Sequence, residues 1–211
     1  KVSQSIMRDV FLTVTDRFEQ VSVDEGYMDV SGALLRWGKP SAIGAWIRHE
    51  VERRFHVTCS VGIAANKLVA KIASTNAKPN GMLLIPSSRS AEFVQMMPLR
   101  SIPGIGPKLE QRLNTWGIAS VADLSQLSME QLTQATGSPA NAQHLWMASR
   151  GMDDRIVTPT HVEKSIGSEE TLLEDTTDQR IVCQQLRESC NTIARSLRNR
   201  GFMARTVTRS E

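Results

Sequence analysis

The sequence predicts an α+β fold in three parts: a partial sheet with packed helices over residues 1–98, an all-helical stretch over 99–160, and a truncated α/β piece over 161–211. Three observations carry this expectation. Helical spacing of apolar residues alternates with short β-branched runs up to Pro98. From "LRSIPGIGPKLEQRL" to "QHLWMASRGM" the pattern is helices joined by Gly-containing turns, with no convincing strand. Past Pro159 a strand signal returns in "EKSIGSEETLL", followed by a long helix over 177–199 and a strand start, "RTVTRSE".

The elements follow in order. Ile6, Val10 and Val14 recur at helical spacing. "FEQVSVDEGYMDVSG" reads as two short strands around a tip, with Val21 and Val23 alternating on the way in and Tyr27, Met28 and Val30 on the way out. "SAIGAWIRHEVERRF" predicts a helix capped by Ser41, with Ile43, Ile47 and Val51 on its buried face. "VTCSVGIA" predicts a buried strand. "NKLVAKIASTNA" predicts a helix capped by Asn66 and closed by Pro79 and Gly81. "GMLLIP" and "SAEFVQMM" add a strand and a helix.

Composition narrows the function. With 40% hydrophobic and 22% charged residues the chain is a folded one. No apolar run approaches the ~18 residues that span a bilayer. Three cysteines without C-x-x-C spacing suit a reducing cytoplasm, and four scattered histidines give no zinc-ligand pattern. The net charge of +3 is unevenly spread: 12 Lys/Arg against 9 Asp/Glu in residues 1–98, 6 against 10 in 99–175, and 7 against 3 in 176–211. Basic ends around an acidic middle are compatible with a polyanionic partner, although such a balance also describes an ordinary solvated surface.

Asp24 and Glu25 stand side by side at the expected tip. Successive strand residues point to opposite faces, so both carboxylates meet one object only where the backbone turns. Together they offer hard oxygen ligands of the kind Mg²⁺ takes; alone, such a pair is also an ordinary polar turn. Lys67 and Lys71 lie four apart on one helical face, and Lys78 sits at the helix end, where an ammonium can neutralise a phosphate tail or complement the helix dipole. In "SIPGIGPKLEQRL", Gly104 and Gly106 before Pro107 have the form of a helix-hairpin-helix, whose amides with Lys108 can bind a phosphate without reading bases. The acidic surroundings make directed N–H groups, rather than a general field, the expected grip.

Taken together, "FEQVSVDEGYMDVSG" and "CSVGIAANKLVAKIASTNAKPNG" resemble the second half of the palm of the Y-family DNA polymerases, most closely the polymerase IV (DinB) branch. The likeness continues through "LNTWGIASVADLSQLS" into the family's thumb and through "KSIGSEETLL" into the start of its little finger. It implies translesion nucleotidyl transfer with two Mg²⁺ ions, Asp24 and Glu25 as catalytic metal ligands, and Lys78 on the incoming nucleotide's triphosphate. It further implies primer-template DNA held by Gly104, Gly106 and Lys108. Ser165 and Ser168 would contact phosphate, with Arg195, Arg198, Arg200 and Arg205 adding attraction. A deoxynucleoside triphosphate and a sliding clamp are the other implied partners, and no membrane. Gly26 stands where the family usually has alanine. In the family another metal-binding aspartate and the fingers would precede Lys1, so the chain is expected to be a fragment, inactive alone, whose open sheet edges favour a homodimer. The alternatives are a non-catalytic DNA-binding scaffold and another two-metal enzyme on a similar palm. The intact Asp24, Glu25 and Lys78 disfavour the first, and the glycine hairpin disfavours the second.

Overall fold

The computed structural model describes residues 5–159, 165–172, 174 and 176–208, without the side chains of Met7 and Arg8. It divides into two compact units, Lys1–Thr160 and His161–Glu211. The first opens with a π-helical turn, Met7–Phe11, running into α1 (Leu12–Val14). An antiparallel hairpin follows, β1 (Phe18–Gln20) and β2 (Gly26–Met28), with Phe18 opposite Met28 and Gln20 opposite Gly26. After α2 (Leu34–Trp37) comes α3 (Pro40–Phe55). A parallel β-α-β unit then comprises β3 (Val61–Ile63), α4 (Lys67–Asn76) and β4 (Met82–Leu84), and α5 (Ser90–Gln95) closes this half.

The helical half holds α6 (Pro107–Thr115), α7 (Val121–Gln126), α8 (Met129–Thr136) and α9 (Pro139–Ala148). Of the two caps read from sequence, Asn66 operates and Ser41 does not; Ser120 and Ser128 add caps that were not foreseen. Asn66 accepts from the Val69 amide at 3.0 Å, and Ser120 and Ser128 form reciprocal capping boxes with Asp123 and Gln131. Ser41 does not cap α3: Pro40 takes its first turn, after an extended Lys39 that makes no side-chain cap, because proline's fixed φ already suits that position.

Two buried clusters hold this unit. Val10 and Val14 pack with Ile43, Ile47 and Val51, with Ile6 against them, so both apolar spacings face one core. The larger cluster runs from Leu68, Val69 and Ile72 of α4 through Val94 and Leu99 to Leu113, Leu124, Leu132 and Leu145. The change of texture at Pro98 therefore does not interrupt packing.

The strands are shorter than the sequence suggests. Pairing in the hairpin ends at Gln20, leaving Val21 and Val23 exposed in the loop. "VTCSVGIA" contributes only Val61–Ile63, half-buried. A strand extends only as far as a neighbour supplies backbone partners, and the hairpin and the parallel pair are separate two-stranded sheets. In the second unit, α10 (Gln179–Arg200) matches the expected long helix, with Asp178 capping it through the Arg180 amide at 2.8 Å. The strands expected at either side of it are not formed among the described residues. Residues 165–172 and 206–208 have no regular structure, and Glu163, Lys164, Leu173 and 209–211 lie outside the described residues.

Glu50 is the buried charge of α3. Its carboxylate accepts from Arg53 at 2.8 and 3.1 Å and from Arg54 at 2.5 Å, and Arg54 reaches on to the Asp9 carbonyl at 3.4 Å. The Arg53 hydrogen bonds, helped by Arg54, hold this carboxyl down to about 2. A carboxyl depressed on folding contributes stability above its ordinary range near 4.5 and loses it as pH falls towards 2. The Tm gap between the wild type and Glu50→Gln is therefore expected to be widest above pH 4.5 and to close on acidification towards pH 2, as followed by circular dichroism.

Candidate active site

The β1–β2 loop brings the two carboxylates to the tip. The Val21 and Ser22 amides both donate to the Glu25 carbonyl, at 3.0 and 3.2 Å, closing the turn. Asp24 is exposed and accepts from the Ser22 hydroxyl at 2.7 Å. That bond and Asp24's own amide keep its carboxyl below the usual range, with Lys78 and Lys71 adding attraction. Gly26 leaves room for the Phe18 ring: a Cβ there would lie 2.5 Å from Phe18 Cε2.

Helix α4 lies along this hairpin and meets it twice. Lys67 donates to both Glu19 oxygens at 2.7 Å, and Lys71 pairs with Glu25. The helix is seated on β3 backbone to backbone, because a Cβ at Gly62 would fall 1.9 Å from the Ala70 carbonyl. Lys78 follows the last turn, its amide bonded to the Thr75 carbonyl at 3.3 Å. The turn beyond it is pinned by Arg48, which donates to the Asn80 backbone carbonyl and, at 3.0 Å, to its side-chain oxygen, with Asn80 in the left-handed region at φ 48. Asp24, Glu25, Lys71 and Lys78 line one cavity of about 520 Å³ between the hairpin and the parallel pair.

The remaining candidates lie elsewhere. Gly104, Gly106 and Lys108 are exposed at the start of α6 and do not line that cavity. Gly104 uses the left-handed freedom expected of it, at φ 98, whereas Gly106 is extended at φ −88, a conformation any residue adopts. A Cβ at Gly106 would meet nothing within 4 Å, so neither backbone nor packing requires glycine there. His144, not foreseen from sequence, bonds the Pro103 carbonyl at 2.7 Å and braces the turn. In the second unit Ser165 is exposed, Ser168 half-buried, and Arg195, Arg198, Arg200 and Arg205 are exposed. Among the described residues no group of three His, Cys, Asp or Glu converges as a metal site, so Asp24 and Glu25 stand as a pair.

Sequence reasoning also missed Glu19, which holds the segment leaving α9. Its carboxylate accepts the Thr158 amide at 2.8 Å besides Lys67, while Lys67 reaches the Ile156 carbonyl at 3.5 Å and lies 4.9 Å from the Tyr27 ring centre. Asn66 donates to the Gly151 carbonyl at 2.8 Å, and Asp153 accepts the Leu68 amide at 3.0 Å. Burial works to raise the Glu19 carboxyl, but Lys67 and the Thr158 amide outweigh it and leave it lowered.

Models of the impB/mucB/samB family match residues 1–75 and, for its C-terminal domain, residues 163–210. A model described as the DNA polymerase-iota thumb domain matches residues 100–153. The chain belongs to the impB/mucB/samB family, that of the Y-family DNA polymerases. A DNA polymerase IV of Exiguobacterium sibiricum is 35% identical over 98% of this chain and 57% of its own length. One from Colwellia psychrerythraea is 37% identical over 85% of this chain and 50% of its own. The chain thus spans about half the length of these relatives. The solved Y-family chimera Dbh-Dpo4(243-245)-Dbh superposes with a TM-score of 0.78 at 28% identity, covering 92% of this chain and 56% of that one. DinB from Sulfolobus solfataricus superposes at 0.66 with 27% identity, over 92% and 56%. The family read from the hairpin, helix and glycine turn is therefore borne out.

The Glu19–Lys67 pair has side chains only 18% and 11% exposed, so removing one partner strands a buried charge. Lys67→Met is expected to cost about 3 kcal/mol in urea denaturation and to open residues 151–158 to limited proteolysis, because Glu19 then holds Thr158 without its counter-charge.

Proposed function

We propose that the chain forms the catalytic hairpin and DNA-holding parts of a translesion DNA polymerase, performing template-directed nucleotidyl transfer in DNA repair. The cavity that gathers Asp24, Glu25, Lys71 and Lys78 carries this reading. In this assignment residues 1–98 are the C-terminal part of a palm, 99–160 a thumb and 161–211 the start of a little finger. Family membership supports a divalent cation, and the donor set suits Mg²⁺: two hard carboxylates, with Asp24 open to solvent and held ionised, leave further positions for water and phosphate oxygens. Asp24 and Glu25 would hold the cation, which would supply a lowered pKa for an attacking hydroxyl and charge neutralisation for a leaving phosphate.

The chain's own residues supply the rest. Lys78, exposed at the cavity's edge, meets the triphosphate of an incoming deoxynucleotide. The Gly104 and Gly106 amides, with Lys108, hold a phosphate of primer-template DNA, and Ser165 and Ser168 hold another. A sliding clamp and a homodimer of the chain are further proposed partners. Three free cysteines suit the cytoplasm, and among the described residues no helix is long and apolar enough to cross a membrane.

In a full-length protein carrying this chain, Asp24→Ala or Glu25→Ala should abolish primer extension with Mg²⁺ while leaving duplex affinity nearly unchanged. Lys78→Ala should raise the nucleotide KM through loss of one charge-assisted contact, about 1.5–3 kcal/mol. Duplex binding by the chain should fall steeply with salt, because phosphate contacts release counterions. Full extension activity in Asp24→Ala would overturn the assignment.

A further inference from the structure

The two lysines that α4 turns towards the hairpin are held very differently. Lys67 is nearly enclosed, bonds both oxygens of Glu19 and is shared with a backbone carbonyl and the Tyr27 ring. Lys71 is 31% exposed, meets a Glu25 that is 40% exposed, and both face the cavity. The first pair is locked by its surroundings. The second is wet, stands on one contact and joins the carboxylate that the polymerase reading assigns to metal.

We infer that Lys71 is the internal counter-ion of the carboxylate hairpin: its ammonium occupies the side of Glu25 that a divalent cation takes, and it must withdraw before the cation binds. This inference rests on the assignment of Asp24 and Glu25 as metal ligands. Two adjacent carboxylates repel each other, and an ammonium at Glu25 relieves that repulsion in the metal-free protein. The same charge opposes a dication arriving at the same oxygens. Asp24, whose close side-chain partner is the neutral Ser22, presents no ammonium in direct contact and is the open side from which a cation enters. The flexible stem of Lys71 allows withdrawal without moving α4, which Gly62 keeps seated on β3. Lys78 lies seven residues on and lines the same cavity, so the displaced ammonium remains within the space assigned to phosphate.

The test is Mn²⁺ binding to the chain itself, with Mn²⁺ standing in for Mg²⁺ as another oxygen-seeking cation. Free Mn²⁺ is counted by electron paramagnetic resonance at low ionic strength, and thermal melts verify that each variant is folded. Lys71→Gln is expected to bind roughly tenfold tighter than the wild type, since one opposing charge at a partly exposed site is gone. Lys71→Arg, which keeps the charge, should bind like the wild type, and Asp24→Asn/Glu25→Gln should not bind. If Lys71→Gln binds no tighter while the double carboxylate variant still abolishes binding, the role of Lys71 is wrong and the metal assignment stands. If Mn²⁺ binding is indifferent to Asp24→Asn/Glu25→Gln, the metal assignment fails and the inference with it.

Discussion

The buried ion pair between Glu19 and Lys67 is the contact at which three remote stretches of the first unit meet. Strand β1 supplies the carboxylate, the first residue of α4 supplies the ammonium, and the segment leaving α9 supplies the Thr158 amide and the Ile156 carbonyl. Neither charge would tolerate this burial alone. Each satisfies the other, and the spare hydrogen-bonding capacity of both is used to fasten a third segment. The residues on either side of Lys67 add to it: Asn66 donates to the Gly151 carbonyl, and the Leu68 amide donates to Asp153. The hairpin that carries Asp24 and Glu25 is thereby tied to the helix that carries Lys71 and to the chain that leaves the helical half.

Close backbone approach sets the remaining positions. Gly62 lets α4 press directly on β3, Gly151 lets the outgoing segment press on the start of α5, where a Cβ would lie 2.7 Å from the Ser90 carbonyl carbon, and Gly26 makes space for Phe18 beneath the tip. A side chain at any of these points would push a functional element outward. Lys71 of α4 thus reaches the cavity because a glycine on a neighbouring strand lets the helix come near. Arg48 then fixes the far end, gripping Asn80 so that the turn after Lys78 has a defined course.

The helical half solves a different problem. Residues 99–175 carry 6 Lys/Arg against 10 Asp/Glu, so a general field would repel a polyanion. A proposed phosphate grip at Gly104–Lys108 must rely on aimed amides and one lysine, and such donors act only if the turn is rigid. The packing supplies that rigidity: Ile102, Ile105 and Leu113 are buried in the larger cluster, and His144 braces Pro103 from α9. In the second unit Arg195 and Arg198 of α10 are exposed, and under the proposed function they would add attraction by charge alone.

The sequence by itself determined the helices, the location of Asp24 and Glu25 at a tip, and the family. Those rest on local physics: apolar spacing, a cap such as Asn66, the proline and glycine of the turns, and motifs whose residues lie close together in the chain. The tertiary structure alone decided how long each strand runs, because β3 can extend only where β4 meets it, and which lysine serves which glutamate. Lys67 and Lys71 look alike in sequence, four apart on one face. One became a buried tie and the other a cavity-facing counter-ion because their partners stand 48 and 46 residues away. The same holds for Thr158, which meets Glu19 across 139 residues. No local pattern encodes such pairings, since they arise only when separate elements pack and each buried charge must find its counterpart.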